Sequence, residues 1–143
     1  MPSSNAASVT TLANLMLGWR LEFMVVLADN AQGREVYSQF KKNMMVGTDD
    51  NLASRIVKLD GYNGIEDILS TIDFKRYVLN KRVGITELNS EYIESNGLSR
   101  PMLASNFIRE ITTRSLTESN FDDETIEKVG DLFRLIKNYL SMP

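Results

Sequence analysis

Prolines stand only at positions 2, 101 and 143, so from Thr11 to Arg100 every residue keeps the backbone N–H a helix needs. Breaks in that run must come from Asn30, Gly47, Gly61-Tyr62-Asn63-Gly64, Gly84 and Asn96-Gly97. Between these marks apolar residues recur at three and four, the helix period. Strand-type alternation is not convincing anywhere, and only Val83-Gly84-Ile85 leaves room for a short strand. The expected fold is therefore all-α, a compact single-domain bundle of about six to seven short helices with a long amphipathic C-terminal helix. A polar arm, 1–8, precedes the single domain, 9–143. The length of 143 residues suits one domain.

The first expected helix runs from Val9 to Leu27, apolar nearly all round, with Leu12, Leu15, Met16, Trp19, Phe23 and Val26 as its main stripe. A second covers Gln32 to Met45, with Val36 and Phe40 one turn apart. Thr48 is placed to cap a third, Asp49 to Lys58. Asn63 can cap a fourth whose stripe is Ile65, Ile68, Leu69 and Ile72, continuing through Val78 or breaking at Asp73. Thr86 can cap Glu87 to Ser95, and Ser99 can cap Arg100 to Arg114 with Pro101 in the first turn, where a missing N–H costs nothing. The last helix, Asp122 to Leu140, carries Ile126, Val129, Phe133, Ile136 and Leu140 at alternating steps of three and four. Acids crowd its start and Lys137 lies near its end, as the helix dipole prefers.

With no Cys and no His, the chain has no disulfide framework, thiol nucleophile, cysteine-bound zinc, Ser-His-Asp triad or 2-His-1-carboxylate iron site. Loops starting at Asp49 or Asp60 fail the oxygen-ligand and glycine spacing of a calcium loop. No GxxxxGK or GxGxxG phosphate loop occurs. Asp122-Asp123-Glu124 is explained as a helix start. No catalytic, metal-binding or cofactor-binding residue is singled out, so the expectation is a non-enzyme without cofactors. Val9 to Ala28 is the most apolar stretch. Arg20 and Glu22 near its middle would each cost roughly 2.5–3.5 kcal/mol at a bilayer centre, so no membrane partner is expected. The N-terminus lacks the basic segment of a secretory signal, and an intracellular, cytoplasmic location is expected.

The net charge of −3 gives no global attraction to polyanions, but charge is unevenly spread. Residues 73–82 hold Lys75, Arg76, Lys81 and Arg82 against one acid, whereas 117–131 hold six acids against Lys128. Residues 86–111 carry the one pattern with a specific mechanism, a helix-turn-helix. Gly97 can take the left-handed turn, Leu98 can plug the corner and Ser99 can cap the second helix. Leu103, Phe107 and Ile111 would face inward with Ala104 and Ile108 flanking them. Ser99, Ser105, Asn106, Arg109 and Thr113 would face DNA, and Lys75, Arg76, Lys81 and Arg82 would contact phosphates if they fold beside the corner. Three residues depart from the pattern: Ile93 where a small residue is usual, Asn96 where an apolar one seals the turn, and Glu110 beside the lone Arg109.

The seven methionines read first as core filling, but the all-round apolar first helix and the two-heptad seam of the last exceed what a polar-faced monomer needs. Leu12, Met16, Trp19 and Phe23 on the first, and Ile126, Val129, Phe133, Ile136 and Leu140 on the last, are the candidate protein interface. The sequence thus favours a non-enzymatic interaction subunit, self-associating or built into a larger assembly with other protein subunits. The runner-up is a helix-turn-helix transcriptional regulator whose partner is double-stranded DNA.

Overall fold

The computed structural model describes residues 6–44 and 55–141, which are mostly helical with one small parallel sheet. They form two compact units, one made of residues up to Asn63 together with those from Leu135, the other of Gly64–Arg134. Of the expected polar arm, 1–5 lies outside the described residues, and the remainder joins the first helix.

The first unit contains α1 (Ala6–Gly18), β1 (Val25–Ala28), α2 (Ala31–Met44) and β2 (Ile56–Leu59). Val25, Val26, Leu27 and Ala28 pair in parallel with Ile56, Val57, Lys58 and Leu59. These strands correct the all-helical expectation. The first helix does not reach Leu27, because its end closes in a Schellman motif: Leu21 N–H donates to Met16 O and Arg20 N–H to Leu17 O, both at 2.9 Å. Arg20 holds the left-handed turn with φ 55. Of the expected helix from Asp49, residues through 54 lie outside the described ones, and Ile56 to Lys58 are strand. Branched Ile56 and Val57 pack against a pleated neighbour there, an environment that favours such side chains.

α2 starts where Asn30 Oδ1 accepts the Gly33 N–H at 2.8 Å, while Asn30 Nδ2 donates to Asn63 O at 2.8 Å. Gly33 is required by contact. A Cβ there would stand 2.0 Å from the Ala28 carbonyl oxygen. Val36 and Phe40 fall on the buried side of α2, as their spacing predicts, in a core with Ala13 and Leu27. Val9, Phe23, Val25, Tyr37 and Ile56 pack around it. Tyr139 Oη closes this unit by donating to Phe23 O at 2.8 Å.

The second unit opens with a 3₁₀ turn, Ile65–Ile68, then α3 (Thr71–Asp73), which runs into a π-helical segment, Phe74–Leu79. α4 (Asn89–Ser95), α5 (Arg100–Thr113), a 3₁₀ turn (Glu118–Asn120) and α6 (Asp123–Leu140) follow, the residues of α6 from Leu135 belonging with the first unit. The expected helix from Asn63 is interrupted at Leu69, which is extended (φ −76, ψ 139), and Ser70 Oγ caps a new start by accepting the Asp73 N–H at 3.2 Å. Ile65 and Ile72 of the expected stripe are consequently exposed. Val83 to Ile85 is not a strand. The core consists of Phe74, Val78, Leu79 and Ile93, ringed by Leu69, Tyr92, Leu98, Leu103 and Phe107.

Thr86 does not cap α4. Its hydroxyl bonds the Glu87 carboxylate at 3.3 Å, and α4 begins later, at Asn89. Buried Asp67 supplies the cap from a distance: Oδ1 accepts the Ser90 N–H at 2.9 Å, and Oδ2 accepts the Ser90 hydroxyl at 2.6 Å and the Gly64 N–H at 3.0 Å. A carboxylate at a helix start meets both unpaired N–H groups and the positive dipole end. Among the described residues no helix is long and apolar enough to cross a membrane.

Candidate functional site

The corner formed by α4 and α5 has the shape of a helix-turn-helix. Leu98 N–H donates to Ile93 O at 2.9 Å and Gly97 N–H to Glu94 O at 3.1 Å, a Schellman closure with Gly97 left-handed at φ 58. Ser99 Oγ caps α5 by accepting the Met102 N–H at 3.5 Å, a long bond. Ile93, 1% exposed, is tolerated opposite the turn because Leu98, Leu103 and Phe107 pack around it.

The outward face of α5 differs from the expected reading face. Ala104 and Ile108, expected to flank the inner stripe, are exposed, as is Met102; Ile108 and Met102 stand 64% and 67% accessible. The inward stripe is narrower, Leu103, Phe107 and Ile111, all half-buried, with Leu103 and Phe107 packed on the buried core. Ser105 and Arg109 are exposed. Asn106 is half-buried and its Oδ1 accepts from Arg109 Nη2 at 3.2 Å, so the amide oxygen that would pair with adenine already has a donor. Thr113 Oγ1 donates back to Arg109 O at 2.7 Å.

Charge is arranged unevenly along α5. At its start Arg100 is bridged to Glu66 at 2.8 Å and to Glu94 at 3.3 Å. Burial pulls the Arg100 guanidinium down, but Glu66 and Glu94 together hold it above its ordinary value. At the other end Asn80 Nδ2 donates to Glu110 Oε1 at 3.0 Å, which fastens the basic segment 74–82 beside the last turns of α5. Arg114 bridges Glu110 at 3.2 Å. The Tyr77 ring lies under both Arg76 (5.7 Å) and Arg114 (5.6 Å), and its hydroxyl donates to Asn120 O at 2.8 Å. Contact with Tyr77 raises the Arg76 pKa above its ordinary value. Arg76, Lys81 and Arg82 are exposed and Lys75 is half-buried. Positive charge thus gathers beside the C-terminal turns of α5, while the first turn, which a groove-reading helix presents to bases, sits among glutamates.

A buried polar relay holds this unit together, and no periodicity argument could have found it. Thr125, on α6, accepts the Ser70 N–H at 2.8 Å and donates to Asp73 Oδ2 at 2.6 Å; the same carboxylate oxygen accepts the Asp122 N–H at 2.8 Å. Asp73 Oδ1 and Asn89 Oδ1 are buried without a hydrogen-bond partner among the described residues. Nothing here resembles a metal centre. Among the described residues no three acidic side chains are gathered closely enough to hold a metal ion.

The candidate protein interface divides by exposure. On α1, Leu12 and Met16 are half-buried, whereas Trp19 just beyond it is 71% exposed beside exposed Leu15 and Leu21. Phe23 is half-buried outside any helix, with the Arg55 guanidinium 5.1 Å above its ring. On α6, Ile126, Val129 and Ile136 are half-buried, but Phe133 (62%) and Leu140 (72%) project into solvent. The apolar seam of the last helix is therefore only half covered by its own chain. Thr125, not one of the seam residues, is the buried residue of that helix. Comparison with protein-family models, with curated proteins and with solved structures finds no match.

Proposed function

We propose that the chain is a non-enzymatic protein-interaction subunit that docks through helix faces its own fold leaves uncovered. The observation that carries this reading is the open half of the α6 seam, where Phe133 and Leu140 are exposed at heptad spacing. Isolated apolar residues on a surface need no explanation, but a row in register with half-buried Ile126, Val129 and Ile136 is a coiled-coil seam awaiting a second helix. Met102 and Ile108 are exposed on α5, apolar surface that suits a protein contact better than a phosphate backbone.

A second reading, a DNA-binding regulator, is favoured by one observation: the basic segment 74–82 is fastened to α5 through Asn80 and Glu110. The glutamates around Arg100 weigh against it. Duplex-DNA binding measured across a salt series separates the two. An interaction subunit shows no salt-steep affinity, and its associations fail when Phe133 is replaced by Lys. An affinity that falls steeply with salt and drops by about 1–3 kcal/mol in Arg109→Ala would replace the interaction reading with the regulator.

A further inference from the structure

Residues seven apart on a helix lie nearly in line, so α6 carries two adjacent rows, one flanking buried Thr125 and one on the side away from it. One is Ile126, Phe133 and Leu140; the other is Asp123, Gly130 and Lys137. Phe133, Leu140, Asp123 and Lys137 are all exposed, and neither Asp123 nor Lys137 has an ion-pair partner among the described residues. Gly130 lies midway between them. A glycine inside a helix weakens it relative to alanine, and the protein's own packing does not demand one, since nothing lies within 4 Å of where its Cβ would be.

The second row matches itself when reversed about Gly130. A twofold axis through Gly130 places Asp123 opposite Lys137 of a second copy, twice over, and brings Phe133 level with Glu127 beside Ile126 of the opposing seam, while Leu140 falls level with residue 120, before the opposing α6 begins. Parallel pairing would instead bring Asp123 to Asp123 and Lys137 to Lys137. Opposite charges at the flanks of an apolar seam set both partner and orientation. The missing Cβ at the axis lets the two helices approach closely where they cross. Resting on the interaction reading above, we infer that the partner of this face is a second copy of the chain, its α6 antiparallel to the first and crossing it at Gly130. An 18-residue helix spans only about 27 Å, so the contact falls at the small end of specific interfaces and the dimer depends on concentration.

The test is the native mass of the full chain by sedimentation equilibrium, for the parent, Asp123→Lys, Lys137→Asp and an equimolar mixture of the two variants. The parent should dimerise, each variant alone should associate at least about tenfold more weakly, and the mixture should recover the dimer, because mixed pairs restore both contacts. Recovery would come despite each variant placing its new charge at the wrong end of the helix dipole, so it cannot arise from a better helix. A parent that stays monomeric at about 100 μM, or a dimer indifferent to both exchanges, overturns the self-pairing. Phe133→Lys distinguishes that failure from failure of the interaction reading itself. If the variant folds as stably as the parent, the face remains open to a different protein. If it unfolds, Phe133 belongs to the chain's own core and both readings fall.

Discussion

The Thr125 hydroxyl donates to Asp73 Oδ2 at 2.6 Å while accepting the Ser70 N–H at 2.8 Å, so one buried side chain satisfies groups from the start of α3 and anchors the start of α6. Thr125→Val keeps the shape and deletes both bonds, leaving a buried N–H and a buried carboxylate short of partners. Each such orphan costs about 1–3 kcal/mol, so the variant should lose about 2–4 kcal/mol in urea unfolding, whereas Thr125→Ser should lose under about 1. Equal losses for both would mean that the methyl group, not the hydroxyl, is what matters at this position.

Phe133 and Ile93 should respond to truncation in opposite ways. Ile93, 1% exposed, fills the core between α4 and α5, so Ile93→Ala should cost about 2–5 kcal/mol. Phe133→Ala, measured at protein concentrations too low for association, should stay within about 0.5 kcal/mol of the parent. Chemical denaturation of both variants under one buffer checks the contrast.

Among the described residues three helices end in the same hydrogen-bonded closure, and of these α4 alone has glycine at its left-handed position. α1 uses Arg20 (φ 55) and α5 uses Ser115 (φ 48), with Leu116 N–H donating to Ile111 O at 3.1 Å. Side chains with a Cβ pay about 1–2 kcal/mol in that conformation, so Gly97→Ala should destabilise by about that much. Ser115→Gly should stabilise by up to about 1 kcal/mol, less the added freedom of the unfolded chain. Thermal melts of the two variants should therefore move in opposite directions, and a Ser115→Gly chain that melts below the parent would contradict this account.

Gly33→Ala drives a methyl group into the Ala28 carbonyl, a backbone atom that cannot rotate away. The expected cost is about 1–3 kcal/mol, as for other overpacked sites. Hydrogen exchange locates it: amides of β1, β2 and the first turn of α2 should lose protection, while those of α5 keep theirs. Uniform loss across both units would show instead that the chain opens as one.

What the sequence makes legible tracks how local the cause is. Ser99 with Pro101, and the acids before Ile126, announce helix starts within a single turn, and α5 and α6 begin within a residue of where they are expected. Gly97 likewise marks its turn by itself. Arg20 does not: a left-handed arginine carries no mark, so an apolar stretch that reads as one helix is cut into a helix and a strand. Val25 to Ala28 and Ile56 to Leu59 are too short to show a period, and their pairing spans residues far apart in the chain. Asp67 capping α4 and Thr125 joining Ser70 to Asp73 are equally non-local. For the candidate site, spacing finds the α6 seam but not which half of it the chain covers for itself, because that depends on Thr125 facing inward.

The bond from Tyr139 Oη to Phe23 O has a consequence for the order in which the molecule is made. The second unit is continuous from Gly64 to Arg134, so a ribosome links all of its residues, Thr125 included, before Leu135 is added. The first unit is interrupted by it. Its early strands and helices leave the exit tunnel first, yet the bond that Phe23 O accepts forms only when the closing turns of α6 arrive. The half synthesised first is thus the half finished last.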